Sequence, residues 1–207
     1  MAEKPLAGIK VIDVSRVLAG PYATMLLADM GAEVIKIERP GQGDDSRNFG
    51  PFINGKSAYF MSVNRGKKSV VLDLKDPEDR ERFKDLIRQA DVLVENFRPG
   101  AMERLGLGYD SLSALNPRLI YAACSGFGQQ GPYSLKPAYD IIIQAMSGLM
   151  SITGPGPGQP TRVGTSIADL VAALFTVIGI LAALNDRNRT GLGQMVDVAM
   201  LDCQLAL

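Results

Sequence analysis

Residues 9–37 read IKVIDVSRVLAGPYATMLLADMGAEVIKI, and this stretch decides the fold. Ile9–Val14 is short, apolar and rich in β-branched side chains, the pattern of a buried strand. A polar turn leads to Gly20-Pro21, where proline suits the first position of a helix because it leaves no N–H unpaired. Tyr22–Met30 has helical composition and ends at Gly31, which can take up the left-handed C-cap conformation. Glu33–Ile37 is the next strand. A strand–helix–strand unit of this kind makes a parallel pair, because only a crossover returns the second strand in the same direction.

The alternation continues outward from this unit. Residues 39 to 58 are rich in Gly, Asp, Asn and Pro and predict a long irregular loop, a kind that often carries function. Ser69–Leu74, Asp91–Glu95, Leu119–Cys124 and Gln194–Val198 read as further strands. Asp76 as N-cap, Pro77 at the first helical position and acids in the first turn start a helix that runs to about Ala90. Helices also fit Asp140–Leu149 and Ile167–Leu184. The predicted class is α/β, a parallel sheet with helices on both faces. Leu170–Leu184 is almost wholly apolar but falls short of the roughly 20 residues a membrane span needs. With Asp169 before it and Asn185-Asp186-Arg187 after it, this run reads as a helix buried in the core. Asp202–Leu207 reads as the start of a helix with no C-cap signal, so the expectation is that residues 1–207 are the N-terminal part of a longer chain.

Composition removes several classes of function. Lys+Arg and Asp+Glu both number 22, which leaves no electrostatic footprint for nucleic acid or an anionic membrane. MAEKPLAGIK has no apolar run of the signal-peptide kind. Cys124 and Cys203 are far apart with no CxxC, which suggests a reducing compartment, the cytoplasm, and no zinc site. Histidine is absent, so chemistry must use carboxylates, Lys, Tyr, Cys or the backbone.

Four groups of residues could carry that chemistry. Ser166-Ile167-Ala168-Asp169 fits a capping box, in which Asp169 merely caps a helix. The same position suits a nucleophile, a carboxylate kept ionised by first-turn N–H groups and the helix dipole. Gly164 and the Gly/Pro-rich Gly154–Pro160 would let a ligand come close. Arg39, Arg98 and Arg104 follow strand ends, where ligands of open α/β sheets bind and where guanidinium groups suit phosphate; the alternative is solvated surface cations. Gly126–Gly131 is a literal GxGxxG after a strand, yet Pro132-Tyr133 follows instead of a helix, so it reads as a phosphate-neighbouring or active-site turn, or simply a flexible loop. Next to Asp140, Lys136 could neutralise a phosphate or a carboxylate and Tyr139 could donate to an oxyanion, or the three could simply mark a capped helix start with an exposed lysine.

Taken together, the stretches LAGIKVIDVSRVLAGPYATMLLADMGAEVIKIERPGQGD, KSVVLDLKDPED, DVLVENFRPGAMERLGLGYDSL, PRLIYAACSGFGQQGPY and RVGTSIADLVAALFTVIGILAALNDRNRTGLGQMVDVAM resemble the family III coenzyme-A transferases, the carnitine-dehydratase/bile-acid-inducible (CaiB/BaiF) group. The resemblance implies a Rossmann-like large domain that binds CoA. It places the CoA site on Val17, Leu18, Arg39, Leu72, Asp73, Leu74, Lys75, Asn96, Phe97, Arg98, Arg104, Lys136 and Tyr139. It makes Asp169 the catalytic carboxylate, passing through an acyl anhydride and an aspartyl-CoA thioester. CoA and acyl-CoA would be substrates beside a small carboxylic acid, with no tightly bound cofactor.

The same resemblance implies a chain about twice this long, with a small C-terminal domain that is missing here, and an interlocked homodimer at full length. Formyl-CoA:oxalate members carry Gln where this chain has Leu18, which weakens an oxalate assignment. The related acyl-CoA racemases use a histidine at about Tyr139, and this chain has none. A non-catalytic CoA- or nucleotide-binding module and, on the strength of the lone GxGxxG, a nicotinamide oxidoreductase are the competing readings.

Overall fold

The computed structural model describes residues 3–156 and 158–207. Pro157, inside the Gly154–Pro160 stretch, lies outside the described residues, as do Met1 and Ala2. The chain runs β1 (Lys10–Asp13), α1 (Ala19–Asp29), β2 (Glu33–Glu38), β3 (Phe52–Ile53), β4 (Lys56–Ser57), α2 (Ala58–Asn64), β5 (Lys67–Val71), α3 (Pro77–Arg88) and β6 (Val92–Glu95). It continues α4 (Ala101–Arg104), α5 (Tyr109–Leu115), β7 (Ile120–Ser125), α6 (Asp140–Met146), α7 (Ile167–Thr190), β8 (Met195–Ala199) and α8 (Met200–Leu205).

Six strands form one sheet in the order β5-β2-β1-β6-β7-β8, and every pairing is parallel. Without the small β3–β4 hairpin this is the 3-2-1-4-5-6 order of a doubly wound fold. The order reverses between β1 and β6, and that is where the strand ends splay to leave a crevice.

Side-chain alternation builds two cores from one sheet. Val11, Val34, Val92, Val94, Ile120 and Ala122 point to the face covered by Ala23 and Leu27 of α1 and by Ala173, Val177 and Ile180 of α7. Ile12, Ile37, Leu93, Tyr121 and Ala123 point to the opposite face, against Phe83 and Ile87 of α3, Met102 of α4 and Leu112 of α5. Burying one such side chain contributes roughly 1.5–3 kcal/mol, so both layers are held mainly by apolar burial.

Local signals fix several ends. Asp76 accepts the amides of Glu78 and Asp79 at 2.9 and 3.0 Å, with Pro77 opening α3 as the sequence predicted. Gly31 has φ 107° after α1. A Cβ at Gly20 would collide with the side chain of Ser15, so only glycine lets α1 start this close to the β1 loop.

The structure corrects three expectations. The strand foreseen at Ser69–Leu74 lies at Lys67–Val71. Leu72–Lys75 turns away because Asp73 receives the Lys75 amide at 3.0 Å while its own amide goes to Asp79 at 2.8 Å. The foreseen loop at 39–58 is ordered, with a 3-10 turn at Asp45–Asn48 capped by Asp44 and a hairpin turning at Asn54-Gly55. Helix α2 then follows, capped by Ser57. Finally, α7 runs to Thr190 instead of Leu184, and its 24 residues are long and apolar enough to cross a membrane by length and composition. In this fold it packs on α1, α6, β7, β8 and α8, and Arg187 near its end pairs with Asp91 at 2.9 Å.

Candidate functional site

A buried charge network holds the crevice open. Lys36 lies within β2, two residues before its end, and is 1% exposed. Its ammonium contacts Asp44 at 2.9 Å, the Ser15 carbonyl at 2.8 Å and Asp13 at 3.8 Å. Asp13 also accepts Lys67 at 2.9 Å, Thr24 at 2.7 Å and the Ser15 hydroxyl at 2.5 Å. Burial pushes the Asp13 carboxyl upward, but Lys36, Lys67 and these hydroxyls outweigh it and hold the group well below the usual carboxylate range.

This network ties the segment after β1 to the segment after β2. Asp44 accepts the Val17 amide at 3.1 Å, and Val17 has φ 69°, a strained setting for a β-branched residue. Asn96, just beyond β6, clasps Arg16 from both sides, accepting its amide and donating to its carbonyl at 2.8 Å each.

Two cavities open at these carboxyl ends. One, of about 500 Å³, is lined by Arg39, Leu72, Asp73, Leu74 and Lys75 among others. The second, of about 510 Å³, is lined by Val17, Asn96, Phe97, Arg98, Lys136, Tyr139 and Asp169 among others. Arg16 and Phe97 line both, with the guanidinium 4.9 Å from the ring centroid, so this stacked pair forms the shared wall. Cavities of this size suit a sizeable small-molecule ligand.

Eleven of the thirteen residues proposed for CoA thus fall on these walls, together with Asp169. Leu18 and Arg104 fall on neither: Leu18 is the N-cap of α1, and Arg104 is exposed on α4 with its guanidinium over Gly100. Arg39 bonds the Gly43 carbonyl at 3.1 Å and pairs with Asp45, so it is partly committed. Lys136 lies over the Tyr133 ring at 3.9 Å, and Tyr139 is 74% exposed at the rim. Gly126–Gly131 is a turn and not the start of a helix. A Cβ at Gly126 would collide with Ala138, and the Gln129 amide donates to Asp197 at 2.9 Å.

Asp169 stands in the first turn of α7, half-buried, beside a like charge on Asp140. The expected capping box does not form. Ser166 makes no side-chain cap, and the Ala168 amide goes instead to Asp140 Oδ1 at 2.8 Å. The Asp169 carboxyl is not held ionised as expected; burial first, and Asp140 second, push it up to about 7. Near neutral pH such a group supplies carboxylate for attack while being more basic than an ordinary aspartate.

Residues that the sequence reading missed also reach this site. Arg16 follows β1 just as Arg39 follows β2, so the same strand-end rule marks it. Phe49 lines the second cavity and stacks edge-on with Tyr59 at 5.6 Å. Burial, then Asp169, push the Tyr59 phenol up to about 12. Cys124, at the cavity wall, is likewise pushed up to about 12 by burial, so its thiol is inert.

Comparison with known proteins gives a consistent picture. The family model described as CoA-transferase family III matches residues 6–207. The chain is 56% identical over 203 residues to an acetyl-CoA:oxalate CoA-transferase of Acetobacter aceti, covering 98% of this chain and 52% of that protein. It is 50% identical over 204 residues to a succinyl-CoA:glutarate CoA-transferase of Mus musculus, covering 98% of this chain and 47% of that protein. The crystal structure of a CAIB/BAIF family protein from Brucella suis superposes with a TM-score of 0.95 at 44% identity, covering all of this chain and 56% of that one. The chain therefore spans about half the length of the curated relatives it matches.

Proposed function

Because the chain belongs to CoA-transferase family III, we propose that the protein moves CoA from an acyl-CoA thioester to a small carboxylic acid, with Asp169 as the covalent carrier. One observation carries this reading: Asp169 lies in the wall of a cavity that adjoins a second, cation-edged cavity through Arg16 and Phe97. A long ligand can lay its phosphates in one and its thioester in the other. Arg39 and Lys75 edge the first, while Arg16, Arg98 and Lys136 edge the second and suit a carboxylate.

The steps balance without an added proton. An Asp169 oxygen attacks the thioester carbon, the C–S bond breaks, and CoA leaves as thiolate with the electron pair. The product is a mixed anhydride. The thiolate then attacks the Asp169 carboxyl carbon, expelling the donor acid as carboxylate and leaving an aspartyl-CoA thioester. The acceptor carboxylate attacks that carbon and releases thiolate, which attacks the acceptor's acyl carbon and frees Asp169. One hard exchange is divided into easier ones, as in covalent catalysis generally.

The names of the relatives, acetyl-CoA:oxalate and succinyl-CoA:glutarate, support short acyl donors and small dicarboxylic acceptors. The functional unit is proposed to be a homodimer of the full-length protein. Intact-protein mass spectrometry of the full-length protein with acetyl-, succinyl- and glutaryl-CoA, with oxalate and glutarate as acceptors, tests the proposal. A CoA-sized adduct present in the wild type and absent in Asp169→Ala is expected. Saturable CoA binding with no adduct would overturn it in favour of a binding module.

A further inference from the structure

Helix α7 begins against a second carboxylate. Asp140, the first residue of α6, accepts the Ala168 amide through Oδ1 at 2.8 Å and Gln144 Nε2 through Oδ2 at 2.7 Å. Gln144 is fully buried, and its Oε1 accepts the Val163 amide at 2.8 Å. Two side chains of α6 thus clasp both ends of residues 163–168, the segment that delivers Asp169. These bonds join positions 28 and 19 residues apart, so no local preference supplies them.

The Ala168 amide is one of the donors with which a helix N-terminus would greet an anion. The neighbouring Ile167 amide is also taken, by the Thr165 carbonyl at 2.9 Å. We propose that Asp140 is a positioning residue for Asp169: through Ala168 and Gln144 it fixes where the nucleophile sits, and by occupying the helix amide beside it with a like charge it withholds the stabilisation an N-terminus normally gives an anion. The inference rests on the reading of Asp169 as nucleophile.

The upward shift of the Asp169 carboxyl, caused by burial and then by Asp140, agrees with this geometry. The other titratable or charged groups around it are Tyr59 from α2, Cys124 from β7, and Arg16, Asp45, Arg98, Lys136 and Tyr139 from the cavity wall. Asp140 is the charged one among them that also bonds the α7 backbone. A stronger base is a better attacking carboxylate once ionised, and a fixed first turn keeps its oxygen in line with a thioester carbon.

The test uses Asp140→Asn and Asp140→Ala in the full-length protein. Asp140→Asn keeps an oxygen to accept the Ala168 amide but removes the charge and, with its NH2 facing Gln144 Nε2, the bond to Gln144; Asp140→Ala removes all three. Carbon-13 carboxyl titration of Asp169 by NMR, the pH profile of CoA-adduct formation and the CoA dissociation constant are measured for each. In Asp140→Asn the Asp169 midpoint and the adduct profile move to lower pH, with CoA binding unchanged. In Asp140→Ala adduct formation slows by on the order of 10²-fold, the effect of a misplaced reacting group, again with CoA binding unchanged. A titration curve in Asp140→Asn that coincides with wild type overturns the proposal, and it does so even if Asp140→Ala fails to fold. A wild-type protein that forms no adduct refutes the nucleophile reading, while the NMR titration still decides the role of Asp140.

Discussion

Asp13 and Asp169 are carboxylates at the same end of one sheet, and burial acts on both in the same direction. Their environments drive them apart. Asp13 faces two ammonium groups and two hydroxyls and is held below the usual carboxylate range. Asp169 faces a cavity and a second carboxylate and is pushed up to about 7. Burial therefore does not by itself decide charge; the partners do. The first site is a strut with every lone pair engaged. Among the described residues the second accepts no side-chain hydrogen bond or ion pair, which leaves its oxygens to bond a substrate.

The contrast predicts opposite responses to change. The largest effect is chemical: Asp169→Asn lowers CoA exchange by roughly 10⁴-fold or more, as loss of a nucleophile does, measured by thioester exchange in the full-length protein. Exchange at a tenth of the wild-type rate would erase the distinction between strut and nucleophile. Next in size is Lys36→Met, which leaves Asp44 a buried, unpaired charge and costs about 3–5 kcal/mol in denaturant unfolding. It also weakens CoA binding, because Asp44 holds Val17 and caps the turn at Asp45–Asn48.

Smaller and of opposite sign is the stability of Asp169→Asn. The folded carboxyl titrates at about 7 and the unfolded one near its ordinary 3.8, so the folded state holds the extra proton between them. Asp169 therefore costs nothing below pH 3.8, and its cost grows as pH rises to about 7. At pH 8 the Asn variant is more stable than wild type by about 1–3 kcal/mol after allowing for solvent in the cavity, and the gain vanishes near pH 4. Asp13 has the reverse slope: its contribution is complete above its ordinary 3.8 and is lost as pH falls below it. Thermal melts of wild type, Asp169→Asn and Asp13→Asn across about pH 2 to 8, taken at about one-unit steps, read the two slopes directly. The smallest effect belongs to an exposed pair. Lys68→Gln, which frees Glu33, leaves the melting temperature within error, because solvent screens that bridge.

Much of the sheet was legible because its strands are short apolar runs between turn residues. All six form within a few residues of their expected places, including the deciding unit at 9–37. Asp76-Pro77 also acted as a local stop-and-start signal. The 39–58 segment was harder to read. Its hairpin turns on Asn54-Gly55, but two-residue strands carry almost no periodic signal. Lys67 hid the true start of β5, since a lysine in a strand reads as solvent-facing until Asp13, 54 residues away, is seen to receive it.

The sequence alone determined the α/β class, the alternation of strands and helices, and the residue types available for chemistry, because periodicity, caps and composition are local properties. Tertiary structure decided the strand order, and with it the reversal between β1 and β6 that brings Arg16, Phe97 and Asp169 around adjoining cavities. It also decided the charge environment of each carboxylate. Ser166 and Asp169 have the spacing of a capping box, yet Asp140 takes the amide, because a partner 28 residues away in the chain is adjacent once α6 packs on α7. Proton affinity depends on desolvation and on charges brought near by folding, and no stretch of sequence holds either.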